Sequence, residues 1–300
     1  MSDQPVIEAR GLAKSFGAVQ AVRGIDLVVE RGTCLGLLGP NGAGKTTTMR
    51  MIMGLCRPSG GTLTLFGQPP ASVTREQRRR VGLVPQDNNL DPDLSVLRNL
   101  DVYGTYFGVP RAVLEPRVAE LLGFMQLTEK REARVMHLSG GMKRRLVIAR
   151  ALIADPELVI LDEPTTGLDP QARVLIWTQL QALKRRGKTL LLTTHYMDEA
   201  QRLCDRIVLV DGGTVLAEGT PAELIKRHVA GHVIEVPKPA AGALTDAAAS
   251  HEDIGESVLF YVTEPEAFLR RVPPEVTHLH RPANLEDVFL RLTGRKLREG

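Results

Sequence analysis

No stretch of this sequence comes near the roughly 18 consecutive apolar residues that a membrane-spanning helix needs. Its best apolar runs are as short as Leu158 to Leu161 and Leu190 to Leu192. Any work at a membrane therefore calls for another subunit that crosses it. The opening MSDQPVIEAR holds neither a basic nor an apolar segment, so export through a secretory signal is not expected. Cysteine is scarce: Cys34, Cys56 and Cys204 are odd in number, widely spaced and without a CxxC or Cys/His pattern. That argues against a disulfide framework and for a reducing, cytosolic compartment. An excess of one charge is also missing, since 38 Lys and Arg against 35 Asp and Glu leave +3. This is too little for the dense positive field of a non-specific nucleic-acid binder. The basic triplets Arg78–Arg80, Lys143–Arg145 and Lys184–Arg186 read as solvated helix faces. One Trp, four Tyr and seven Phe supply no stacking platform beside them, so no nucleic-acid partner is expected.

What is present is ordinary globular composition, 43% hydrophobic and 24% charged over 300 residues, enough for about two domains. From Val6 to about Thr64 the pattern is β-rich, in VIEARGLAKSF, AVRGIDLVVE and TCLGLLG. The last of these runs into GPNGAGKTTTMRMIMGL, where Met49, Ile52, Met53 and Leu55 have helical spacing. After Asp87 the alternation stops and helical runs take over, LSVLRNLDVYGTYFG and PRVAELLGFMQL, which read as an insertion. From Glu157 to Val210 the short apolar segments LVIL, TLLLTT and RIVLV alternate with helical ones, as a parallel sheet requires. The expected division is 1–224 and 225–300, with a helical subdomain over about 87–155. The second piece reads as a small α+β appendix: strands HVIEV and SVLFYV, an Ala/Gly/Pro-rich linker from Pro237 to Ser250, and a closing helix. Asn284 is the N-cap of that helix, and Leu285, Val288, Phe289 and Leu292 are its apolar face.

Gly39, Pro40, Asn41, Gly42, Ala43, Gly44, Lys45 and Thr46 fit G-x-x-x-x-G-K-[ST] between a strand and a helix, a phosphate-binding loop. Its glycines let backbone amides face phosphate oxygens, and the helix N-terminus adds its positive end. Lys45 reaches the β and γ phosphates and Thr46 can ligate Mg²⁺. The loop alone leaves kinases, GTPases, helicases and transport ATPases open. LVILDEP then delivers Asp162 and Glu163 to the C-terminal end of a buried strand, where α/β sheets bind ligands. Asp162 suits the shell of Mg²⁺, and Glu163 is placed to act as general base toward the attacking water. Leu138-Ser139-Gly140-Gly141, 23 residues before Asp162, opens a helix with exposed amides, again suited to phosphate.

The series GPNGAGKTT, LVPQ, LSGGMKRR, LVILDEP, TGLD and LLLTTH, in this order over residues 5 to about 222, resembles the ATP-binding cassette (ABC) ATPases. The resemblance implies an α/β fold: a P-loop NTPase core with a mixed sheet, an antiparallel β subdomain, a helical subdomain and the C-terminal appendix. It implies ATP and Mg²⁺ as ligands, with Phe16 stacked on adenine and the loop through Thr47 around the phosphates. Gln86 would touch Mg²⁺ and report nucleotide state, His195 would contact the γ-phosphate, and Asp169 would lie on the dimer-crossing loop. Two such chains meet head to tail, each ATP lying between the P-loop of one and Ser139, Gly140 and Gly141 of the other. The chain carries one of each, so a homodimer completes the sites. Met142 departs from the commonest family pattern, which has glutamine there; the Ser and Gly donors remain.

LSGGMKRR, DNNLDPDLSVLRNLDVYGTYFGV, DEPTTGLDPQAR and RPANLEDVFLRLTGRKL narrow the resemblance to ATPase subunits of ABC-2-type exporters, most like the nodulation protein I group. That implies a separate permease, a place at the cytoplasmic face of the inner membrane, and an amphipathic cargo, lipo-oligosaccharide or drug-like. A soluble ABC ATPase of ribosomes or DNA fits less well: it has two cassettes or a long coiled coil, whereas only 93 residues separate Lys45 from Ser139. An importer ATPase shares every catalytic residue and differs only in the tail and the MKRR helix start. Within the insertion, Leu90, Leu94, Val96, Tyr103, Tyr106 and Phe107 offer apolar surface to a permease helix.

Overall fold

The computed structural model describes residues 4–294, so the first three residues and the RKL of the tail lie outside it. The chain divides between Val215 and Leu216 into two compact units.

The first unit is built on two sheets. Strands β1 (Ile7–Phe16), β2 (Val19–Val29) and β4 (Gly60–Leu65) pair antiparallel in the order β2-β1-β4. Strands β3 (Cys34–Leu38), β5 (Val81–Val84), β6 (Leu158–Asp162), β7 (Thr189–Thr194) and β8 (Arg206–Asp211) run parallel in the order β5-β6-β7-β3-β8. β9 (Thr214–Gly219), within which the first unit ends, follows β8 in the chain. Every residue of β3, β6 and β7 is buried, which is why these strands read as unbroken apolar runs: helices cover both faces of a parallel sheet. Those helices include α1 (Lys45–Ile52), α5 (Gly140–Ala151), α6 (Pro170–Arg185) and α7 (Met197–Leu203). Between β4 and β5 lies the short α2 (Arg75–Arg79), and between β5 and α5 come α3 (Val96–Tyr106) and α4 (Arg111–Phe124). Ser95 starts α3 by accepting a hydrogen bond from the Arg98 amide, the role its side chain suits.

The second unit holds α8 (Pro221–His228) and a four-stranded antiparallel sheet in the order β11-β12-β10-β13. Its strands are β10 (His232–Pro237), β11 (Ser250–Asp253), β12 (Ser257–Val262) and β13 (Leu279–Pro282). The segment expected to be a linker is structured: α9 (Lys238–Ala241) and a 3-10 turn over Gly242–Ala247 put Ala241 and Leu244 into a core with Ile234, Phe260 and Phe268. Two apolar residues three apart suffice to dock it, too weak a pattern to stand out among alanines and glycines. α10 (Pro265–Leu269) contributes Phe268, and α11 (Leu285–Thr293) closes the chain. Asn284 caps α11 reciprocally with Asp287, whose carboxylate also takes a bidentate pair from Arg281 at 2.6 and 2.7 Å. Leu285, Val288 and Phe289 are buried, as their spacing demands.

Candidate active site

Strand register brings the site together. Leu38 lies level with Thr194, and Asp162 with Thr193, so β3, β6 and β7 end side by side. The residues that follow those ends, Gly39, Glu163 and His195, must then converge. The turn after β3 tolerates no larger residue, because a β-carbon at Gly39 would stand 2.1 Å from the Val210 carbonyl oxygen. Gly44 is excluded twice over, by φ of 98° and by the Ala21 carbonyl 2.5 Å from the position of its would-be β-carbon. Gly42, at φ 82°, faces open space. Gly39→Ala should therefore lower the free energy of unfolding by about 1–3 kcal/mol through steric overlap. Gly42→Ala should lower it by only about 1 kcal/mol, through the backbone dihedral. Urea titrations giving the two variants the same midpoint would show that the Val210 contact is relieved by movement.

Lys45, 5% exposed, donates to the Gly39 and Pro40 carbonyls at 2.7 and 3.1 Å and stands 3.5 Å from Glu163 Oε1. Burial pulls its ammonium below the ordinary range, against the attraction of Glu163 and Asp162. Thr193 Oγ1 donates to Asp162 Oδ1, while burial raises the Asp162 carboxyl above its usual value. Glu163 shifts the other way. His195 Nδ1, 3.3 Å from Glu163 Oε2, is the largest cause holding that carboxyl below the usual range, and Lys45 and Thr166 Oγ1 add to it against burial. Two adjacent carboxyls thus differ in character, with the lower one facing both the lysine and the histidine. Glu163 also has φ of 45°, rare for a residue with a side chain. Its amide donates to the Thr193 carbonyl and hydroxyl at 3.0 and 3.2 Å.

A cleft of about 500 Å³ opens beside this cluster, lined by Thr46, Gln86, Asp162, Tyr103, Phe107 and Arg150 among others. Hydroxyl, amide and carboxylate oxygens there form the donor types a hard cation takes. Among the described residues no group of three or more His, Cys, Asp or Glu could hold a metal. Phe16, at the end of β1, is 52% exposed, with Lys14 Nζ over its ring 4.9 Å from the centre. Ser139, Gly140 and Gly141 make their contacts elsewhere. Ser139 Oγ caps α5 by accepting from the Met142 amide, and a β-carbon at Gly141 would come within 2.9 Å of Ala172 on α6. Asp169 caps α6 through the Ala172 amide at 2.8 Å. The structure therefore assembles Lys45, Asp162, Glu163 and His195 directly, sets Thr46 and Gln86 along the adjoining cleft, and pairs the LSGG turn with the start of α6.

The profile of the ABC transporter family matches residues 22–166, and that of the C-terminal domain of the nodulation factor export protein NodI matches 238–294. A Nod factor export ATP-binding protein I from Cupriavidus pinatubonensis is 52% identical over 300 residues, covering 98% of this chain and 92% of that protein. The chain belongs to the ABC transporter ATPase family. Among solved structures, an ATP-binding subunit of an ABC transporter superposes with a TM-score of 0.67 at 32% identity, covering 74% of this chain and 92% of its own. A dimeric ATP-binding cassette in a post-hydrolysis state, bound to ADP and Pi, gives 0.64 at 26% identity, covering 71% and 98%. The expected α/β architecture of the ABC ATPases and the expected nucleotide hydrolysis both hold for this chain.

Three features of this ABC ATPase escaped sequence reasoning. Lys143–Arg145 does not form one solvated face: Arg144 is 4% exposed, and Arg145 donates to the Met125 carbonyl at 2.6 Å. Arg144 shares a helical face with the apolar Val147 and Ile148, three and four residues on, a spacing that would have flagged it. Thr193 reaches Asp162 from a neighbouring strand, which only the strand order reveals. Glu199 on α7 is fully buried, accepts from Thr165 Oγ1 and Trp177 Nε1 at 2.8 and 3.0 Å, and has its carboxyl raised by burial.

Proposed function

We propose that this chain is the energy-coupling subunit of an ABC-2-type exporter, peripheral to the cytoplasmic face of the inner membrane. It would be built as a nucleotide-binding domain over 1–224 and an appendix over 225–300. Two copies close head to tail on ATP, each nucleotide lying between Gly39–Thr47 of one chain and Ser139, Gly140 and Gly141 of the other. The observation that carries this reading is the split between a converged cluster at the strand ends and an LSGG turn whose contacts run to α6 instead. The cargo class, an amphipathic lipo-oligosaccharide or drug-like molecule, draws its support from a relative named for the export of Nod factor. Among the described residues no helix is long and apolar enough to cross a membrane, so a permease must supply the path.

In the proposed chemistry Phe16 offers its exposed ring to adenine, and Lys45 exchanges Glu163 and the loop carbonyls for phosphate oxygens. Thr46, Gln86 and Asp162 would hold Mg²⁺, which when bound neutralises charge developing on the phosphates. Glu163, kept ionised by His195 and Lys45, accepts the proton of the attacking water. His195 aims that carboxylate and meets the γ-phosphate, and Asp169 faces the partner chain.

Permease docking falls to the insertion. Val96 is fully buried and belongs to the subdomain core, whereas Tyr106 is 72% exposed and Tyr103 and Phe107 line the cleft that Gln86 also lines. Tyr106→Asp should weaken permease co-purification by about 30-fold or more, the scale of an interfacial aromatic, and stop export. ATP hydrolysis by the isolated chain should stay within about twofold of wild type, as for a surface change. Export that survives, or hydrolysis that falls in step, would move the docking surface elsewhere.

A further inference from the structure

Arg144 donates every face of its guanidinium to main-chain carbonyls, and these come from two segments. Nε and Nη2 reach Pro164, Asp162 and Glu163 at 2.6, 3.0 and 3.1 Å, while Nη1 reaches Pro85 and Gln86 at 2.5 and 3.1 Å. A planar fork of five donors is the only side chain that can span two segments in this way. The first segment is the turn in which Glu163 holds its left-handed φ of 45°. Such a backbone persists only where its surroundings over-determine it. Here the Thr193 carbonyl and hydroxyl hold the amide side of Glu163, and Arg144 holds its carbonyl side. The second segment is the one that carries Gln86 into the helical insertion. From the same helix, almost two turns on, Arg150 donates to the Asn88 and Asn89 carbonyls at 3.3 and 2.5 Å, so α5 anchors the whole stretch from Pro85 to Asn89.

We propose that Arg144 is a positioning residue: it ties the Glu163 backbone to that of Gln86, so the aim of the Glu163 carboxylate depends on where the Gln86 segment stands. This rests on the reading of Glu163 as the base. The link runs through main chain, so it operates whichever nucleotide state the Gln86 side chain senses. It also gives the helix opened by the LSGG turn a direct grip on the chemistry of its own chain. A displacement of about 1 Å at a reacting group can cost up to about 100-fold in rate.

The test compares Arg144→Lys and Arg144→Gln with wild type by steady-state hydrolysis, calorimetric ATP binding and thermal melting. Lysine keeps the charge but gathers its donors on one atom, and glutamine keeps two donors without the charge, so neither bridges both segments. ATP affinity should stay within about twofold, since the P-loop is untouched, while kcat falls about 10- to 100-fold. Arg144→Lys added to Glu163→Gln should cost little beyond Glu163→Gln alone, because the carboxylate whose aim the clamp sets is then already gone. Wild-type kcat in Arg144→Lys, or losses that simply multiply, would overturn the clamp. So would loss of affinity with kcat intact, or insolubility of both variants beside a soluble Glu163→Gln. Near wild-type turnover in Glu163→Gln would instead overturn the base assignment beneath it, which keeps the two failures apart.

Discussion

Glu163→Gln chains should bind ATP yet hydrolyse it at least about 100-fold more slowly than wild type, the lower end of what losing a general base costs. The substitution is nearly isosteric, so the turn at φ 45° and the contact with Thr166 have no steric reason to change. What disappears is the only carboxylate in the cluster held below the usual range, and with it the acceptor for the proton of water. Lys45 loses an anionic neighbour at 3.5 Å and becomes freer to engage phosphate, so binding should hold or tighten. Because uncleaved nucleotide bridges two chains in the proposed assembly, mass action should then favour the dimer. Light scattering should find a dimer with ATP and a monomer without it. Turnover close to wild type would remove Glu163 from the base role.

Lys45→Ala and Ser139→Arg should each be nearly inactive alone and active when mixed. The first loses the buried cation proposed to meet the phosphates, and with it ATP binding should go. The second keeps its P-loop and hence its affinity as a monomer, but blocks the surface it offers to a partner's nucleotide. Loss of the Ser139 cap costs about 1 kcal/mol, so the Ser139→Arg chain should remain folded. Removal of one transition-state donor alone costs roughly two to three orders of magnitude in rate, and an arginine in its place adds obstruction. In a mixed dimer the intact loop of the Ser139→Arg chain meets the intact LSGG turn of the Lys45→Ala chain, and one composite site works. Mixed samples as inactive as either parent would count against head-to-tail closure.

Much of this was open to reading because it is written contiguously. Loop, lysine and threonine sit in one string of eight residues, Gly39 to Thr46, and Asp162 and Glu163 end an apolar run whose burial sets their depth. The pairing of Glu163 with His195 needs β6 and β7 to be neighbours, and the order β5-β6-β7-β3-β8 is not carried by any local pattern. Arg144 hid for a different reason. Basic triplets on helices usually face water, and here one of the three turns inward because five residues at two distant places leave carbonyls that its guanidinium collects. The 237–250 stretch docks through little more than Ala241 and Leu244, too sparse a pattern for its composition to reveal.

Trp177 is the only tryptophan in the chain, and its indole N–H is spent on Glu199, the same carboxylate that holds Thr165, two residues after Glu163. Indole emission responds to the charge and polarity of the group it donates to. The protein therefore carries a native fluorophore wired to the turn beyond the carboxylate proposed as its base, with no competing signal from any other tryptophan. A stopped-flow record of that emission would time the events at this turn during a single round of nucleotide turnover, in unlabelled protein.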